Sequence, residues 1–550
     1  MQRAPWTILG LLLIVTAMPQ GRMLAAHEER ALRVITIVNI SDWHAQLEPV
    51  SVTVDGQERP VGGAAVLKSY FDQERQRNPD GTLVVTAGDA FGATPPLSSF
   101  FEDVPAIEAQ NAMGFDLDTL GNHSFDYGVE RLRKLMALAR FPYVAANIVG
   151  PDGQTIVPPY HVFTRQGVKI GVIGIGNPDT PALVFPGRTG EYRFLDPVPV
   201  INRYAAQLRA QGTHIVVVLA HIGADAVDPW GVPTGPLGAL AKAITGVDVL
   251  LGDHTDVSVN TVMNGMIVTE NRSKGAQYTV IDLTYDLHQQ AIVSRAVVQK
   301  RPWVEGRSAD PHVQTLLDRY QSQLQPLLDR KVGETALVLE GSRQEESLLG
   351  NLVTDILQRT YQTQLAFDVS GALRAGLPSA YQPADRELRR IGSDYAAGPP
   401  YDVVAGDFYS IFPFGNVAVT FKITGRTLWE ALEQSVSQSI VEGDRVVNTA
   451  GRFLQVSGFR YRFNPHKPVG QRVVAVAWPD GTPIPDDHTE YTAVTSAFVY
   501  YGGDGYNMLN NGSGTTRELI ADTISRAVQQ MGTVTVQQEG RITPMLTSSQ

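Results

Sequence analysis

The sequence contains no cysteine. Disulfide bonds, thiolate metal sites, cysteine nucleophiles and a bacterial lipoprotein anchor, which requires an acylated cysteine, are therefore excluded. An excess of positive charge is also lacking, because 45 basic residues stand against 56 acidic ones and the net charge is −11. This balance argues against a broad nucleic-acid-binding surface. An anionic substrate would need local positive charge from metal ions or from a few placed arginines.

Long apolar runs are lacking beyond the N-terminus. Arg3 precedes an apolar run over residues 8–17, and small residues ending at Ala26 precede a charged stretch. This pattern predicts a secretory signal peptide over residues 1–26, with an uncleaved anchor or a buried helix as the alternatives. Because no second apolar stretch of spanning length follows, we expect an exported protein, periplasmic or extracellular, with no permanent membrane anchor.

The length and composition indicate a globular protein of more than one domain. A chain of 550 residues is too long for a single core, and its 43% hydrophobic and 18% charged residues are ordinary for globular proteins. Apolar residues at helical spacing between Pro311 and Lys331 predict an interdomain helix whose apolar face packs as core. Pro326 within that pattern predicts a kink or break.

The first half alternates strand-like and helix-like segments, which predicts a layered α/β domain. Sites in such domains form outside the carboxyl ends of strands. The predicted strands cover residues 34–39, 83–86, 117–120, 168–175, 214–220 and 247–251, and the helices cover 130–140 and 201–211.

Five of these strands lead into side chains that can bind metals. The residues are Asp42 and His44, then Asp89, then Asn122 with His123 and Asp126, then His221, and finally His254 with Asp256. Oxygen and imidazole ligands without thiolate suit zinc, manganese, iron or cobalt. The set is too large for one ion, so we expect two divalent ions bridged by a carboxylate, a common device for attacking phosphate esters. An extended backbone would point Asp42 and His44 to the same side. His214 and Asp253 are expected to be structural.

The stretch Leu120–Asp126 is the centre of this pattern. Asn122 offers a neutral oxygen ligand, His123 can act as an acid, a base or a ligand, and Asp126 can orient His123 through a ring nitrogen. Alone, such a stretch is more often a hydrogen-bonded turn. The other strand-end ligands favour the functional interpretation.

The second half carries arginines, aromatics and glycine-rich turns. Arg343 and Arg374 suit phosphate, and Phe414 and Phe498 on or near glycine-containing turns could sandwich a flat base. Asp504 lies in a Gly-rich loop. Taken alone, these phenylalanines could equally be core residues and the arginines solvated charges. Strands are expected over 335–339 and 417–423, and helices over 347–362 and 428–437.

The ordered strings D-W-H, G-D, G-N-H-S-F-D, a strand-end His221 and G-D-H-T-D resemble the calcineurin-like metallophosphatases, specifically the secreted two-domain 5′-nucleotidase family. The second half resembles that family's substrate domain in its N-L helix start, P-F-G-N and G-G-D-G-Y strings. The likeness covers nearly all of the mature chain. Departures are Ala45 for the usual Gly, Ser124 for the usual Glu, Asp256 for His or Gln, and Ser370-Gly371-Ala372-Leu373-Arg374 for G-G-I-R with Val369 before it.

The resemblance implies roles for individual residues. One metal site would contain Asp42, His44, Asp89 and Asp256, and the other Asp89, Asn122, His221 and His254. His123 and Asp126 would be the catalytic dyad, with His123 stabilising charge on the phosphoryl group or leaving oxygen. Arg343 and Arg374 would contact phosphate, Phe414 and Phe498 would clamp the base, and Asn416 and Asp504 would hydrogen-bond base or ribose.

The resemblance also implies the domain plan. A four-layer α/β/β/α metallophosphoesterase domain (30–305) would be joined by a helical linker (306–333) to a mixed α/β substrate domain (334–545). Because the motifs are split across a long linker, the site must lie between the domains, and a hinge motion that carries substrate to the metals is a further hypothesis.

The expected activity is release of phosphate from nucleoside 5′-monophosphates by metal-activated water, without a nucleic-acid polymer as partner. UDP-sugar hydrolase, nucleoside di- and triphosphatase, 2′,3′-cyclic phosphodiesterase with 3′-nucleotidase, and a sulfate-ester or thiosulfate-type hydrolase are the alternatives within the enzyme class. A secreted nucleotide-binding protein with a decayed site is the non-enzymatic alternative. Metal identity and oligomeric state stay open.

Overall fold

Ten of the described strands of the first half form two sheets that pack face to face, and six others form three two-stranded sheets. The computed structural model describes residues 31–546 except 55, 393, 443–444 and 448–449, so the predicted signal peptide lies outside the described residues. Within that part of the chain, no helix has the length and apolarity needed to cross a bilayer. The strands of the first half are β1 (Leu32–Ile40), β2 (Val50–Val54), β3 (Gln57–Val61), β4 (Thr82–Thr86), β5 (Asp118–Thr119), β6 (Tyr143–Val144), β7 (Ile148–Val149), β8 (Tyr160–Arg165), β9 (Val168–Ile175), β10 (Arg193–Phe194), β11 (Ile215–Ala220), β12 (Val249–Leu251), β13 (Val259–Met263), β14 (Met266–Glu270), β15 (Tyr278–Asp286) and β16 (Ala291–Lys300).

One sheet has the order β16-β15-β1-β4 and the other β13-β14-β12-β11-β9-β8. Alternation along β1 places Ile35 and Ile37 between the sheets and Val38 and Ile40 on the outer face. Strand β11 alternates in the same way between the inter-sheet core and its own outer face. Such runs, buried on both faces, explain why the sequence reads as continuous apolar segments.

Helices cover both outer faces and complete the predicted α/β/β/α layers. Against the sheet of β1 lie α1 (Ala64–Arg77), α2 (Pro96–Ser99), α3 (Val104–Met113) and α4 (Gly128–Leu138). The four-residue α5 (Thr180–Leu183) contacts the turn at residues 503–505 of the second half. Against the second sheet lie α6 (Pro197–Ala210) and α7 (Gly235–Ala243). The predicted strands and helices of this half are present with shifted ends. The strand predicted at 117–120 is shorter than expected, because β5 contains only two of these four residues.

The linker helix α8 (Pro311–Leu328) packs on the first half. Its apolar stripe, which includes Val313, Leu317 and Leu324, is buried with the core of α1 and α3. Of the kink or break expected at Pro326, the break is wrong, because the helix continues through this residue and ends two residues later. A proline in the last turn removes only one N–H from the hydrogen-bond ladder, which is a smaller loss than in mid-helix.

The second half is a mixed α/β unit. Its main sheet has the order β23-β18-β26-β20-β27, and three-stranded sheets β19-β17-β28 and β25-β24-β29 flank it. The strand expected at 335–339 lies earlier, as β17, and it begins inside the predicted linker. Of the expected stretch, Thr335 is the last residue of β17, and Leu339 pairs in an isolated bridge with Leu377. The elements are β17 (Lys331–Thr335), α9 (Leu348–Tyr361), β18 (Leu365–Val369), β19 (Tyr401–Val404), α10 (Ala405–Ile411), β20 (Val417–Thr424), α11 (Gly425–Ser435), β21 (Ile440–Glu442), β22 (Arg445–Val447), β23 (Leu454–Ser457), β24 (Arg460–Phe463), β25 (Val473–Ala477), β26 (Glu490–Ser496), α12 (Ala497–Tyr500), β27 (Thr515–Leu519), α13 (Ile520–Met531), β28 (Thr533–Val534) and β29 (Ile542–Pro544).

Candidate metal and nucleotide site

The predicted metal ligands meet at the carboxyl ends of five strands. Asp42 and His44 follow β1, Asp89 follows β4, Asn122 follows β5, His221 follows β11 directly, and His254 with Asp256 follows β12. Three groups of side chains have ligand atoms within 4.8 Å of one another among the described residues. They are His44, Asp89 and His123; Asp89, His221 and His254; and Asp42, His221 and Asp253. Asp89 belongs to the first two groups, as expected for a bridging carboxylate, and Asp253, expected to be structural, belongs to the third. Asp256 is exposed and belongs to none of them.

The backbone that presents these ligands is not extended, so the alternation argument for Asp42 and His44 is wrong. Strand β1 ends at Ile40, and Asp42 and His44 have φ of 39° and 48°. This turn still places His44 Nε2 3.6 Å from Asp42 Oδ1. Asp89 and His254 have positive φ as well. Non-glycine residues in this region carry strain that the surroundings must maintain.

Backbone carbonyls orient two of the imidazoles. His44 Nδ1 donates to Gly92 O at 2.8 Å, and His221 Nδ1 donates to Ala87 O at 3.1 Å. Each bond fixes the tautomer and leaves Nε2 with a lone pair, which is the arrangement of a metal-binding histidine.

Several lone pairs converge beside Asp89. His221 Nε2 lies 2.8 Å from Asp89 Oδ2 and 3.1 Å from Asn122 Oδ1, and His254 Nδ1 lies 3.3 Å from the same nitrogen. Asp89 Oδ2 is buried and receives no hydrogen bond of acceptable geometry. A buried carboxylate oxygen of this kind requires a cation. Burial lowers the pKa of His221, but Asp89 outweighs burial and raises it to about 9, so a proton and a metal ion would compete for this position.

Glycine at position 121 makes room for Asp89. A Cβ there would lie 2.1 Å from Asp89 Oδ1, closer than any real contact. The same Oδ1 accepts a hydrogen bond from the His123 backbone N–H at 2.9 Å. The carboxylate is thereby fixed from both sides.

His123 and Asp126 form the expected pair. His123 Nδ1 lies 2.9 and 3.1 Å from the two oxygens of Asp126. Burial lowers the pKa of His123, but the negative charges of Asp126 and Asp89 raise it above its ordinary value. An imidazolium next to the ligand cluster can stabilise negative charge on a phosphoryl group or a leaving oxygen.

The second half contributes its predicted residues to the same cavity. The cavity has a volume of about 1410 Å³. It is lined by candidate metal ligands of the first half and by predicted substrate residues of the second half. Several contacts join the halves around it. Tyr127 Oη donates to Pro413 O at 3.2 Å, Lys274 Nζ donates to Arg374 O at 3.2 Å, and the rings of Phe185 and Tyr501 lie 5.6 Å apart. The predicted substrate residues in the lining are Arg343, Arg374, Phe414, Asn416, Phe498 and Asp504.

The two phenylalanines occupy different surroundings. The ring of Phe414 stacks on His123 at 5.5 Å and 19°. Phe498 lies against Gly503, where a Cβ would come within 2.3 Å of the ring. The structure therefore brings both rings to the cavity, but it places one face of Phe414 against the dyad.

Sequence reasoning missed three cations near this site. Lys274, in the turn after β14, donates a hydrogen bond to the second half. Arg188 and Arg452 line the cavity, Arg452 beside Asp504. None of them belongs to a periodic pattern, so only the fold could reveal them. His214 accepts a hydrogen bond from Lys169 N and stacks on Tyr285, which is a structural role.

The fold and the site define a two-domain α/β metallophosphoesterase, a hydrolase. Residues 330–511 match the family described as 5′-nucleotidase, C-terminal domain. The crystal structure of a 5′-nucleotidase precursor from Thermus thermophilus superposes with a TM-score of 0.80 and 28% identity, covering 93% of this chain and 99% of that one. Over residues 330–511 the chain matches the C-terminal domain of 5′-nucleotidases, and over nearly its whole length it is similar to proteins of that name.

Curated relatives agree with this assignment. A snake venom 5′-nucleotidase from Naja atra is 26% identical over 565 residues, covering 92% of this chain and 98% of the relative. Endonuclease YhcR from Bacillus subtilis is 27% identical over 499 residues, but the chain spans only 38% of that longer protein.

Proposed function

We propose that this protein is an exported, metal-dependent phosphohydrolase that releases phosphate from nucleoside 5′-monophosphates. The observation that carries the proposal is the shared cavity, in which the ligand cluster around Asp89 and the His123–Asp126 pair face the arginines and phenylalanines of the second half. The ligand cluster and the histidine–aspartate pair suit reactions at phosphorus. The arginines suit an anionic phosphate, and the phenylalanines suit a flat nucleobase. Relatives named as snake venom and cell wall proteins support the export of this chain.

Two divalent ions would be held by Asp42, His44, Asp89 and Asp256 and by Asp89, Asn122, His221 and His254. When bound, such ions supply Lewis acidity toward phosphoryl oxygens and lower the pKa of water.

The chain's own groups do the rest. Arg343 and Arg374 would orient the phosphate, and His123, oriented by Asp126, would stabilise or protonate the leaving oxygen. Phe414 and Phe498 would hold the base, and Asn416 and Asp504 would hydrogen-bond base or ribose.

The cavity volume favours one further candidate. At about 1410 Å³ the cavity exceeds the roughly 300–1,000 Å³ of ordinary small-molecule sites. Larger nucleotides, such as nucleoside di- and triphosphates or nucleotide sugars, would fit the same site.

The test is phosphate release by the purified, metal-reconstituted mature chain from AMP, ATP, UDP-glucose, 2′,3′-cyclic AMP and p-nitrophenyl phosphate, with Asp89→Ala as the blank. We expect AMP to be preferred. Hydrolysis of p-nitrophenyl phosphate alone would support the metal site and contradict the nucleotide assignment. Preference for ATP or UDP-glucose would favour the larger substrates.

A further inference from the structure

The guanidinium of Arg452 lies at the substrate cavity and has no hydrogen-bond or ion-pair partner among the described residues. Arg452 lines the cavity together with Arg188, Arg343 and Arg374. Its Nε is buried without a hydrogen bond, and within the described part of the chain its guanidinium forms no ion pair. A buried N–H left in this state destabilises a protein, so such a group calls for an explanation. A ligand that accepts hydrogen bonds would provide one.

The backbone around Arg452 is held on two sides. Gly371 N donates to Gly451 O at 2.8 Å, and Ser370 N donates to Phe453 O at 2.7 Å. From the other side, Tyr506 Oη donates to Arg452 O at 2.5 Å. Arg452 is therefore fixed between the turn that leads to Arg374 and the turn that carries Asp504. A long side chain on a fixed backbone, beside two predicted substrate residues, has the features of a built binding position.

Asp504 is the acidic neighbour of Arg452. Its carboxyl is 8% exposed, and burial raises its pKa to about 6 although Arg452 and Arg343 oppose this shift. No ion pair of 4.0 Å or less joins Asp504 to Arg452 among the described residues, so both groups are available to a ligand. An acceptor beside a guanidinium complements a ligand that offers a hydroxyl donor next to an anion. A phosphorylated sugar has this chemistry.

The position of Asp504 indicates which phosphate group of a nucleotide Arg452 could contact. Asp504 follows Gly503, against which the ring of Phe498 lies, so Arg452 belongs to the side of the cavity proposed for base and ribose. A phosphate chain on the 5′ carbon would instead run from the ribose toward the metal ligands. A phosphate on the 2′ or 3′ carbon would project from the sugar itself.

We propose that Arg452 binds a second phosphate on the ribose of the substrate, so that the enzyme acts on nucleoside 2′,5′- or 3′,5′-bisphosphates. This inference rests on the proposed function, because it takes the metal cluster as the place of the scissile 5′-phosphate. Arg452 is then a specificity-determining residue.

The experiment compares the wild-type protein with Arg452→Met and Arg452→Lys. For each protein, kcat/KM is measured for AMP, GMP, adenosine 3′,5′-bisphosphate and adenosine 2′,5′-bisphosphate, with the released 5′-phosphate identified by chromatography of the product. Arg445→Met, which removes an exposed arginine of β22, is the matched control. Thermal unfolding of every variant verifies that the fold is retained.

In the wild-type protein, one of the two bisphosphates should be hydrolysed with a higher kcat/KM than AMP. Arg452→Met should lower the ratio of that kcat/KM to the value for AMP by about 10- to 100-fold, the usual range for one charged hydrogen-bonding group. Arg452→Lys should recover part of the ratio, and Arg445→Met should leave it unchanged.

An unchanged ratio in Arg452→Met, or an equal loss for AMP and both bisphosphates, would overturn the inference. A loss confined to GMP would overturn it in favour of contact with a base edge. If the wild-type protein hydrolyses p-nitrophenyl phosphate but no nucleotide, the proposed function itself fails. If AMP is hydrolysed but Arg452→Met does not change the ratio of the two kcat/KM values, the role of Arg452 is wrong and the proposed function stands.

Discussion

Replacing Gly121 with alanine tests the arrangement around Asp89 without removing any functional group. The added Cβ would lie 2.1 Å from Asp89 Oδ1 and 2.5 Å from its Cγ. Non-bonded heavy atoms settle at about 3.5 Å, so the carboxylate must retreat by roughly 1 Å. The backbone itself does not forbid alanine, because Gly121 is outside the positive-φ region.

The expected loss follows from what the carboxylate contacts. Oδ1 accepts the His123 backbone N–H at 2.9 Å, and Oδ2 lies 2.8 Å from His221 Nε2. A retreat of roughly 1 Å breaks at least one of these contacts and displaces the shared ligand of both clusters. Misplacement on this scale costs about a hundredfold in rate, which equals about 2.7 kcal/mol of activation free energy. Overpacking should also lower the free energy of unfolding by about 1–3 kcal/mol.

The assay is steady-state phosphate release from AMP, combined with metal content by mass spectrometry and thermal unfolding. The matched control is Gly341→Ala, whose added Cβ would meet Leu373 Cβ at an ordinary 3.4 Å. We expect the control to keep its activity, and Gly121→Ala to lose activity and part of its metal while remaining folded. Wild-type turnover and metal content in Gly121→Ala would refute the role assigned to Asp89.

Three further changes test other parts of the site and fold. His123→Ala should lower kcat by about 10²- to 10⁴-fold with metal content intact, and His214→Ala is its control; loss of metal would make His123 a ligand instead. Phe498→Ala should raise KM for AMP about tenfold and leave KM for p-nitrophenyl phosphate unchanged, and equal effects on both would count against a base clamp. Burial raises the pKa of Glu48 from 4.5 to about 8 against Arg386, so the folded chain holds this proton more tightly than the unfolded chain and stability falls as the pH rises between these values. Glu48→Gln should therefore unfold at a higher temperature than wild type at pH 8, and the difference should shrink toward pH 4.5; a difference independent of pH would show that Glu48 is not protonated in the fold.

The layered fold and the ligand set could be predicted because both depend on local patterns. Strands such as β9 and β11 are short apolar runs that are buried on both faces. A ligand that directly follows a strand, such as His221, lies at the carboxyl end of the sheet in any loop conformation. The backbone between strand and ligand was harder to predict. Asp42 and His44 meet through left-handed residues, and nothing in local propensity favours that conformation for a histidine.

Long-range contacts explain the other omissions. Lys274 is separated by 100 residues from the carbonyl to which it donates, and Arg452 is positioned by turns at Ser370 and Tyr506. No spacing rule connects such residues, because their proximity arises only when the two halves pack together. For the same reason, the strand predicted at 335–339 was displaced from the observed β17. The partners that fix the position of β17 lie at 401–404 and 533–534, far along the chain.

The contact between Phe414 and His123 determines how a base can enter. Ring centroids 5.5 Å apart at 19° belong to rings already in contact, so no base fits between Phe414 and the dyad in this arrangement. A base must use the opposite side of Phe414 or wait until the halves separate. Separation would have to break the Tyr127 and Lys274 hydrogen bonds and the Phe185–Tyr501, Phe100–Tyr409 and His123–Phe414 ring contacts. It would also expose the hydrophobic core that Tyr381, Leu388 and Val404 share with the first half. Because exposing apolar surface is costly, the opposite side of Phe414 is the less costly route for a base.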